Sequence, residues 1–182
     1  MQIDTCILVL STAIQCYLLY SLCKLHKELE EEAREEHRFF EPVFGAPADT
    51  KLPVRGSEYA AGYDFYAPEN IVIPAHGKSK LVFFNVKAKM EHDDVLYMRI
   101  RSGLATKHEL MLETSGVIDA DYYSNQTTDG NIATVFRNNS DEDYVIEKGE
   151  RCCQGIFLKY LTADDDKTLG KRRGGYGSTG KR

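Results

Sequence analysis

The feature that most constrains the fold of this chain is the pattern of its sequence after residue 50. Short apolar or alternating runs follow one another there, separated by glycine, proline, asparagine and aspartate. The runs that predict strands are residues 71–74, 80–89, 96–100, 111–112, 131–137, 144–146 and 155–160. No long amphipathic helical pattern lies between them, and residues 138–141 and 147–150 are typical turns. Such spacing predicts an all-β sandwich or barrel.

The charge of the chain is unevenly distributed. The formal net charge is −5, and residues 1–50 carry all of it, with nine Asp and Glu against four Lys and Arg. Residues 51–182 are therefore neutral as a whole, which argues against a broad nucleic-acid surface. The last twelve residues differ, because they contain five Lys and Arg and no acid. This positive arm suits a small anionic ligand better than a nucleic-acid duplex.

The five cysteines of the chain predict no metal site. They form neither a CxxC pair nor a Cys/His cluster, and no two histidines have the spacing of metal ligands. Cys152 and Cys153 are adjacent and fit a buried strand, so we expect free thiols in a reducing compartment.

Residues 6–23 form an uncharged run of 18 residues. As a helix, this run would be about 27 Å long, close to the roughly 30 Å hydrocarbon core of a membrane. Lys24, His26 and Lys27 follow at once, and basic residues there favour a cytoplasmic location for the rest of the chain. No basic region precedes the run, so a cleaved signal peptide fits poorly. We expect residues 1–23 to be a membrane-anchoring helix, with an apolar helix buried against a partner chain as the alternative.

Residues 24–50 predict a charged helical stalk that is followed by a linker. Glu and Lys lie four residues apart in the stretch that ends at Arg38, a spacing that stabilises an exposed helix. Two prolines and a glycine then predict a linker across residues 39–49. After this linker we expect a β domain over residues 51–166 and a glycine-rich arm over residues 167–182.

The strongest candidate for a functional site is Ser115–Tyr123, where a short apolar run ends in two carboxylates and two aromatic rings. Gly116 would let the backbone approach a ligand closely. Strand alternation would place Val117, Asp119 and Asp121 on one face. A carboxylate beside apolar and aromatic groups suits a flat ring with a polar edge. The alternative interpretation is a solvated turn between two strands.

Four further stretches carry related chemistry. Asp64 follows a glycine at a predicted strand start, and Arg101–Gly103 combines the donors and the unhindered backbone that phosphate oxygens need. Residues 149–155 add another arginine and an amide, and residues 171–180 place an aromatic ring among glycines, cations and hydroxyls. Each stretch alone is commonly a turn or a disordered tail.

Together, in this order and spacing, the five stretches resemble those of the trimeric deoxyuridine triphosphatases. The resemblance runs from Lys51 to Gly180, and its most specific parts are Gly-Val-Ile-Asp-Ala-Asp-Tyr and the final Gly-Gly-Tyr-Gly-Ser-Thr-Gly. The Tyr-Tyr pair, the short insertion after it and the acidic residues 164–166 are similar to the Gram-positive bacterial and phage branch. The resemblance implies an all-β jelly roll and a homotrimer in which three chains build each active site.

The resemblance also implies an activity, the hydrolysis of dUTP to dUMP and pyrophosphate, which keeps uracil out of DNA and supplies dUMP for dTMP synthesis. Asp119 would orient and activate the water that attacks the α-phosphorus. Tyr122 would stack against the deoxyribose and exclude a 2′-hydroxyl, while backbone groups around Gly116 would read uracil. The phosphate-binding residues of the β domain would be Arg101, Ser102, Gly103 and Gln154.

The arm and a metal ion would complete the site that the resemblance implies. Tyr176 would close over the uracil, Arg172 or Arg173 would clamp the γ-phosphate, and Ser178 would donate a further hydrogen bond. A Mg²⁺ ion would be held mainly by triphosphate oxygens and water, with Asp64 contributing through water.

Two other functions stay open at this point. A deoxycytidine triphosphate deaminase shares the fold, but its chemistry needs a glutamate on the strand after the hairpin, and residues 131–136 contain no acid. A non-catalytic, membrane-tethered nucleotide-binding or regulatory protein could also retain the fold. Loss of the catalytic aspartate or of the arm would indicate such a protein, and the sequence retains both.

Overall fold

The computed structural model describes residues 14–27, 38–113 and 116–167. The chain divides into two compact units, Met1–Glu36 and His37–Arg182. The β unit therefore begins more than ten residues before the predicted boundary at residue 51.

The first unit is described only over residues 14–27, which are helical (α1). Nearly all of its side chains are exposed, among them Tyr17, Leu19 and Tyr20. In the described part of the chain, no helix is both long enough and apolar enough to cross a membrane. Residues 6–13 of the predicted anchor lie outside the described residues.

The largest element of the β unit is a five-stranded antiparallel sheet. Its strands are β2 (Val54–Arg55), β3 (Tyr63–Tyr66), β7 (Asp94–Ile100), β9 (Val117–Asp119) and β13 (Arg151–Lys159). The spatial order is β2-β3-β13-β7-β9, so β13, the last strand among the described residues, lies at the centre of the sheet. This order places the start of β13 beside both β3 and the end of β7.

In the part of the β unit that the structure describes, eight short strands form four further antiparallel pairs. The pairs are β1 (Phe39–Pro42) with β6 (Val86–Lys89), β4 (Ile71–Ile73) with β12 (Tyr144–Ile146), β5 (Val82–Phe83) with β10 (Ala133–Thr134), and β8 (Leu110–Leu112) with β11 (Phe136–Asn138). The predicted all-β fold class is confirmed. The run at residues 80–89 is two strands, because Asn85 adopts a left-handed φ of 60° between them.

The core lies between these strands and is built from alternate side chains. In β7, Leu96 and Met98 point inward and are at most 1% exposed, as the period of two for a strand requires. Cys152 and Cys153 are both buried in β13, which confirms the expected packing of the cysteine pair in a strand. A register shift between Arg151 and Cys153 allows two adjacent residues to be buried.

The structure differs from the predicted linker at residues 39–49, because β1 occupies its first four residues. Phe40 packs against Phe65 and Phe157, and Arg38 donates two hydrogen bonds, of 2.7 and 3.0 Å, to the buried carboxylate of Asp94. Burial alone would raise the pKa of Asp94, but the hydrogen bonds from Arg38, from the backbone of Glu91 and from Lys159 together outweigh burial, and the pKa is lowered. The apolar and charged contacts together join this segment to the β unit.

A second feature that was not predicted is a short helix, α2 (Ser102–His108), which begins within the predicted phosphate-binding stretch Arg101–Gly103. The hydroxyl of Thr106 donates to the carbonyl of Ser102, and Glu109 ends the helix in a left-handed conformation with φ 53°. A helix of seven residues is too short to show amphipathic periodicity, so the sequence pattern did not reveal it.

Candidate active site

Asp64 organises a cluster of charged side chains at one end of the central sheet. It lies on β3, is 6% exposed, and its Oδ1 lies 3.1 Å from Nε of Arg101. Its Oδ2 accepts a hydrogen bond of 3.2 Å from Nη1 of Arg151. Arg101 directly follows β7 and Arg151 begins β13, so the strand order brings both guanidinium groups to the same carboxylate.

Gln154 completes this group, which we call the Asp64 cluster (Asp64, Arg101, Arg151 and Gln154). Gln154 is paired with Asp64 across β13 and β3. A Cβ atom on Gly62 would lie 2.4 Å from the side-chain oxygen of Gln154, so any other residue there would force this amide to move. A cavity of about 330 Å³ opens over the cluster; its lining is Gly56, Ala60, Gly62, Asp64, Arg101, Ser102, Arg151 and Gln154.

A wider cavity of about 730 Å³ shares one side with the first. It extends from Arg101 and Arg151 along α2 to Lys107 and His108, with Glu150 as its acidic residue. Cationic groups outnumber carboxylates on the walls of the two cavities. Guanidinium groups with a fixed orientation, a hydroxyl and an amide are the donors that phosphate oxygens require. The chemistry of the two cavities therefore favours an extended anion.

The same geometry tests the predicted role of Asp64 near Mg²⁺. Each of its two oxygens faces a guanidinium group, and that positive charge disfavours a second cation in direct contact. Among the described residues, no three His, Cys, Asp or Glu side chains are grouped as metal ligands. The residues of this cavity do not fit a directly bound Mg²⁺ ion.

The predicted catalytic hairpin contains β9, which is an edge strand of the five-stranded sheet. Gly116 accepts a 2.8 Å hydrogen bond from the backbone N–H of Met98, and a Cβ on Gly116 would lie only 3.0 Å from Cβ of Met98. β9 then ends at Asp119, and Ala120–Tyr122 form a 3₁₀ turn. The expected strand alternation through Asp121 therefore stops at Asp119.

The two halves of the predicted site are far apart within one chain. Asp119 is paired with Val95 at the start of β7, whereas Arg101 follows the last residue of that strand. Six residues at about 3.3 Å each separate them by roughly 20 Å. The described residues of one chain thus bring Arg101, Ser102 and Gln154 together, but they do not bring Asp119 to this group.

Several predicted residues lie outside the described residues. They are Arg172, Arg173, Tyr176 and Ser178 of the arm, and Ser115 at the start of the hairpin motif. Conversely, Arg151 belongs to the Asp64 cluster although it was not among the predicted binding residues. Regular strand alternation would place residues 151 and 154 on opposite faces, and the register shift after Arg151 has no clear signal in the sequence.

Comparisons with known proteins decide the family. The model of the dUTPase family matches residues 48–181. The chain belongs to the dUTPase family. This confirms the resemblance seen in the sequence, whose predicted limits were Lys51 and Gly180.

Individual relatives of this family agree over most of their length. A deoxyuridine 5′-triphosphate nucleotidohydrolase from Lactococcus lactis is 46% identical over 136 residues, which are 73% of this chain and 90% of that protein. An enzyme of the same name from Debaryomyces hansenii is 37% identical over 146 residues, 76% of this chain and 86% of that protein. The similarity therefore extends from a bacterial to a fungal member of the family.

Solved structures agree with these comparisons. The crystal structure of the Streptococcus mutans dUTPase has a TM-score of 0.64 and 40% identity, and the match covers 69% of this chain and 98% of that one. A dUTPase from phage phi11 of S. aureus has a TM-score of 0.61 at 19% identity, covers 74% of this chain and 97% of that one, and shows the fold alone. The predicted likeness to the Gram-positive branch agrees with the L. lactis and S. mutans matches.

Proposed function

We propose that this protein hydrolyses dUTP to dUMP and pyrophosphate. The observation that carries the proposal is the anion-binding Asp64 cluster in a chain of the dUTPase family that also retains the Asp119 hairpin. A triphosphate is an extended anion, and the two cavities that share Arg101, Ser102 and Arg151 carry more cationic groups than carboxylates on their walls.

In the proposed reaction, the Asp64 cluster binds and the hairpin catalyses. Arg101, Arg151 and Gln154 would donate hydrogen bonds to phosphate oxygens, and Ser102 at the start of α2 would add its hydroxyl. Asp119 would accept a proton from a water molecule as the water oxygen forms a bond to the α-phosphorus. The bond from the α-phosphorus to the bridging oxygen breaks, and its electrons leave with pyrophosphate.

Asp64 would act in this scheme by orienting the two arginines. A carboxylate that forms ion pairs with both guanidinium groups limits their rotation, and fixed donors bind a planar or tetrahedral anion better than mobile ones. Mg²⁺ that accompanies the triphosphate would take its ligands from phosphate oxygens and water and would offset phosphate charge, with Asp64 reached only through water.

We further propose a homotrimer in which different chains supply the hairpin and the Asp64 cluster of each site. The separation of roughly 20 Å between Asp119 and Arg101 supports this, because a nucleotide could not contact both residues in one chain. The arm residues Arg172, Arg173, Tyr176 and Ser178 would complete the site, as the family resemblance implies.

A panel of purified nucleotides tests the activity. We expect pyrophosphate release from dUTP and little from dCTP, dTTP or UTP when each is supplied with Mg²⁺. Deamination of dCTP without pyrophosphate release would indicate the deaminase instead, and binding of dUTP without turnover would indicate the non-catalytic protein.

Mixed oligomers test the sharing of sites between chains. Asp119→Asn and Arg101→Ala should each be nearly inactive alone, whereas chains co-expressed in equal amounts should recover about a quarter of wild-type turnover, because one site in four then combines two intact partners. Co-expression of Asp119→Asn with a chain carrying both substitutions is the matched control and should stay inactive. A mixture of the two single variants without recovery would show that one chain supplies both residues.

A further inference from the structure

The hydroxyl of Tyr122 lies within a continuous chain of hydrogen bonds. It donates its single proton to the carbonyl of Asn131 at 2.8 Å and accepts a 3.0 Å hydrogen bond from the hydroxyl of Thr128. The side-chain amide of Asn125 in turn donates to Thr128 Oγ1 at 3.0 Å. Tyr122 is 4% exposed, so these bonds form in a largely water-free environment, where each restricts motion more strongly.

Asn125 is the centre of the loop that supplies these partners, which we call the Tyr122 loop (residues 123–130). It is 9% exposed, and its amide nitrogen also donates to the backbone carbonyl of Tyr122 at 2.8 Å. Its Oδ1 accepts hydrogen bonds of 3.0 Å from the backbone N–H groups of Thr127 and Thr128. One amide side chain thus fixes both the loop and the backbone of the residue that the loop surrounds.

The two ends of the Tyr122 loop lie close together. A Cβ atom on Gly130 would lie 2.8 Å from the backbone nitrogen of Ser124 and 3.0 Å from the carbonyl oxygen of Tyr122, and the φ of Gly130 is +76°. Asp129, the residue before it, is also left-handed, with φ 53°. Glycine is therefore required at this point for the loop to close.

A second set of contacts attaches the loop to the β1–β6 pair. The carboxylate of Asp129 accepts hydrogen bonds of 3.0 and 3.1 Å from Nζ of Lys87 and one of 2.7 Å from the backbone N–H of Phe44. The phenol of Tyr123 donates to the carboxylate of Glu41, which raises the pKa of Tyr123. The Tyr122 loop is thus held at both ends and cannot move independently of the sheet.

We infer that Asn125 and Thr128 are positioning residues that fix the ring of Tyr122 and thereby set the selectivity for a 2′-deoxyribose. The inference rests on the proposed function and on the role that the family resemblance implies for Tyr122, whose ring would lie against the deoxyribose. Because the phenolic proton is already donated to Asn131, the ring face and not the hydroxyl would meet the nucleotide. Exclusion of a 2′-hydroxyl by a ring face is steric, so it depends on a ring that cannot tilt away.

The positions of Thr127 and Thr128 provide a matched experiment. Thr128→Val keeps the shape of the side chain but removes the donor to Tyr122, whereas Thr127→Val removes a hydroxyl that bonds only to Asn125 in the same loop. Thr128→Ser retains the hydroxyl without the methyl group. For each variant, kcat/KM would be measured for dUTP and for UTP.

We expect Thr128→Val to shift the ratio of the two kcat/KM values about tenfold towards UTP. A steric pocket discriminates roughly hundredfold against an added hydroxyl, and a tilted ring should lose part of that discrimination. Thr127→Val and Thr128→Ser should keep the wild-type ratio, even if general stability falls. If Thr128→Val does not fold, Thr128→Ala replaces it with the same expectation, because the smaller side chain introduces no overpacking.

The outcomes separate this inference from the activity on which it rests. A Thr128 variant that is folded, turns over dUTP and keeps the wild-type ratio would overturn the positioning role and leave the proposed function intact. An equal shift in Thr127→Val would also overturn it, since the effect would then belong to the loop in general. A wild-type protein that does not hydrolyse dUTP would overturn both.

Discussion

The Asp64 cluster and the Tyr122 loop hold functional side chains in place by different interactions. In the Asp64 cluster, one buried carboxylate orients two guanidinium groups and leaves the cavity positively charged. Around Tyr122, neutral amide, hydroxyl and carbonyl groups form the network, and charged pairs lie only at its periphery. The first arrangement attracts an anion, whereas the second defines a shape without changing the local charge.

Because their interactions differ, the two regions should respond differently to ionic strength. Binding through the Asp64 cluster should weaken with ionic strength, because ions screen partly exposed charges. Selection of the sugar by Tyr122 should be almost indifferent to salt, because neutral hydrogen bonds in a buried site are screened little. Three substitutions and one deletion test this difference between the two regions.

The largest effect is expected for Asp119→Asn. Asparagine keeps the shape of the side chain but cannot accept a proton from water, and loss of a positioned general base costs about 10²–10⁴-fold in turnover. Affinity for a non-hydrolysable dUTP analogue, measured by titration calorimetry, should stay close to wild type because the Asp64 cluster is unchanged. Turnover within a few-fold of wild type would show that Asp119 is not the base.

Deletion of residues 170–182 should reduce dUTP turnover by about 10²-fold, because in the proposed function the arm would add phosphate contacts and exclude water from the bound nucleotide. Tyr176→Ala should reproduce part of this loss and Tyr176→Phe almost none, since the ring is the group that would stack. Steady-state kinetics and size-exclusion chromatography would separate activity from assembly. A deletion variant that retains full turnover would refute the role of the arm.

Asp64→Asn should raise KM for dUTP by about tenfold with a smaller effect on kcat, because two arginines lose the partner that orients them. Glu150→Gln is the matched control, as it removes one negative charge from the cavity wall without contacting either arginine in the described ion pairs. Measurements at two ionic strengths would show whether orientation or net charge is responsible. Equal changes in the two variants would favour net charge.

The smallest effect is expected for Asp129→Asn, at the edge of the Tyr122 loop. The hydrogen bond from the backbone N–H of Phe44 and then the contact with Lys87 lower the pKa of Asp129, despite its partial burial. Because the pKa of Asp129 is lower in the folded state, its carboxylate stabilises the fold above the unfolded pKa of about 3.9. This stabilisation is lost as the pH falls through the folded pKa. At pH 7 the substitution should reduce the free energy of unfolding by about 1 kcal/mol, discounted for the partial exposure of the pair.

Urea denaturation at pH 7 and at about pH 3 would check this expectation for Asp129, with wild type measured in parallel. The difference between the two proteins should shrink at the lower pH, because the wild-type carboxylate is then increasingly protonated. A constant difference at both values would show that the carboxylate charge does not stabilise the fold.

The sequence predicted the parts of the molecule that depend on local patterns. Strands such as Ile71–Ile73 and Tyr144–Ile146 are short apolar runs that end near turn residues, so their predicted bounds were nearly correct. Asp64, Arg101 and Gln154 were predicted through their motifs, and strand order brings them together.

Features that depend on specific strand or side-chain partners were not predicted, whether those partners are distant or close in the sequence. β1 contains Pro42 and precedes a glycine-containing turn, and only its pairing with residues 86–89 makes it a strand. Thr128 and Asn125 look like an ordinary polar turn in the sequence. Their importance comes from the buried hydroxyl of Tyr122, which no local pattern places beside them.

Because Cys152 and Cys153 are buried in the central strand of the sheet, the reactivity of their thiols reports how often that strand opens. Burial, followed by the hydrogen bond with Cys152, raises the pKa of Cys153, so reagents that need a thiolate cannot react while β13 stays paired on both sides. Cys16 and Cys23 are exposed and should be labelled first. Any slower labelling of the cysteine pair would then measure how often the central strand leaves the sheet, and a bound nucleotide that spans the start of β13 should slow it further.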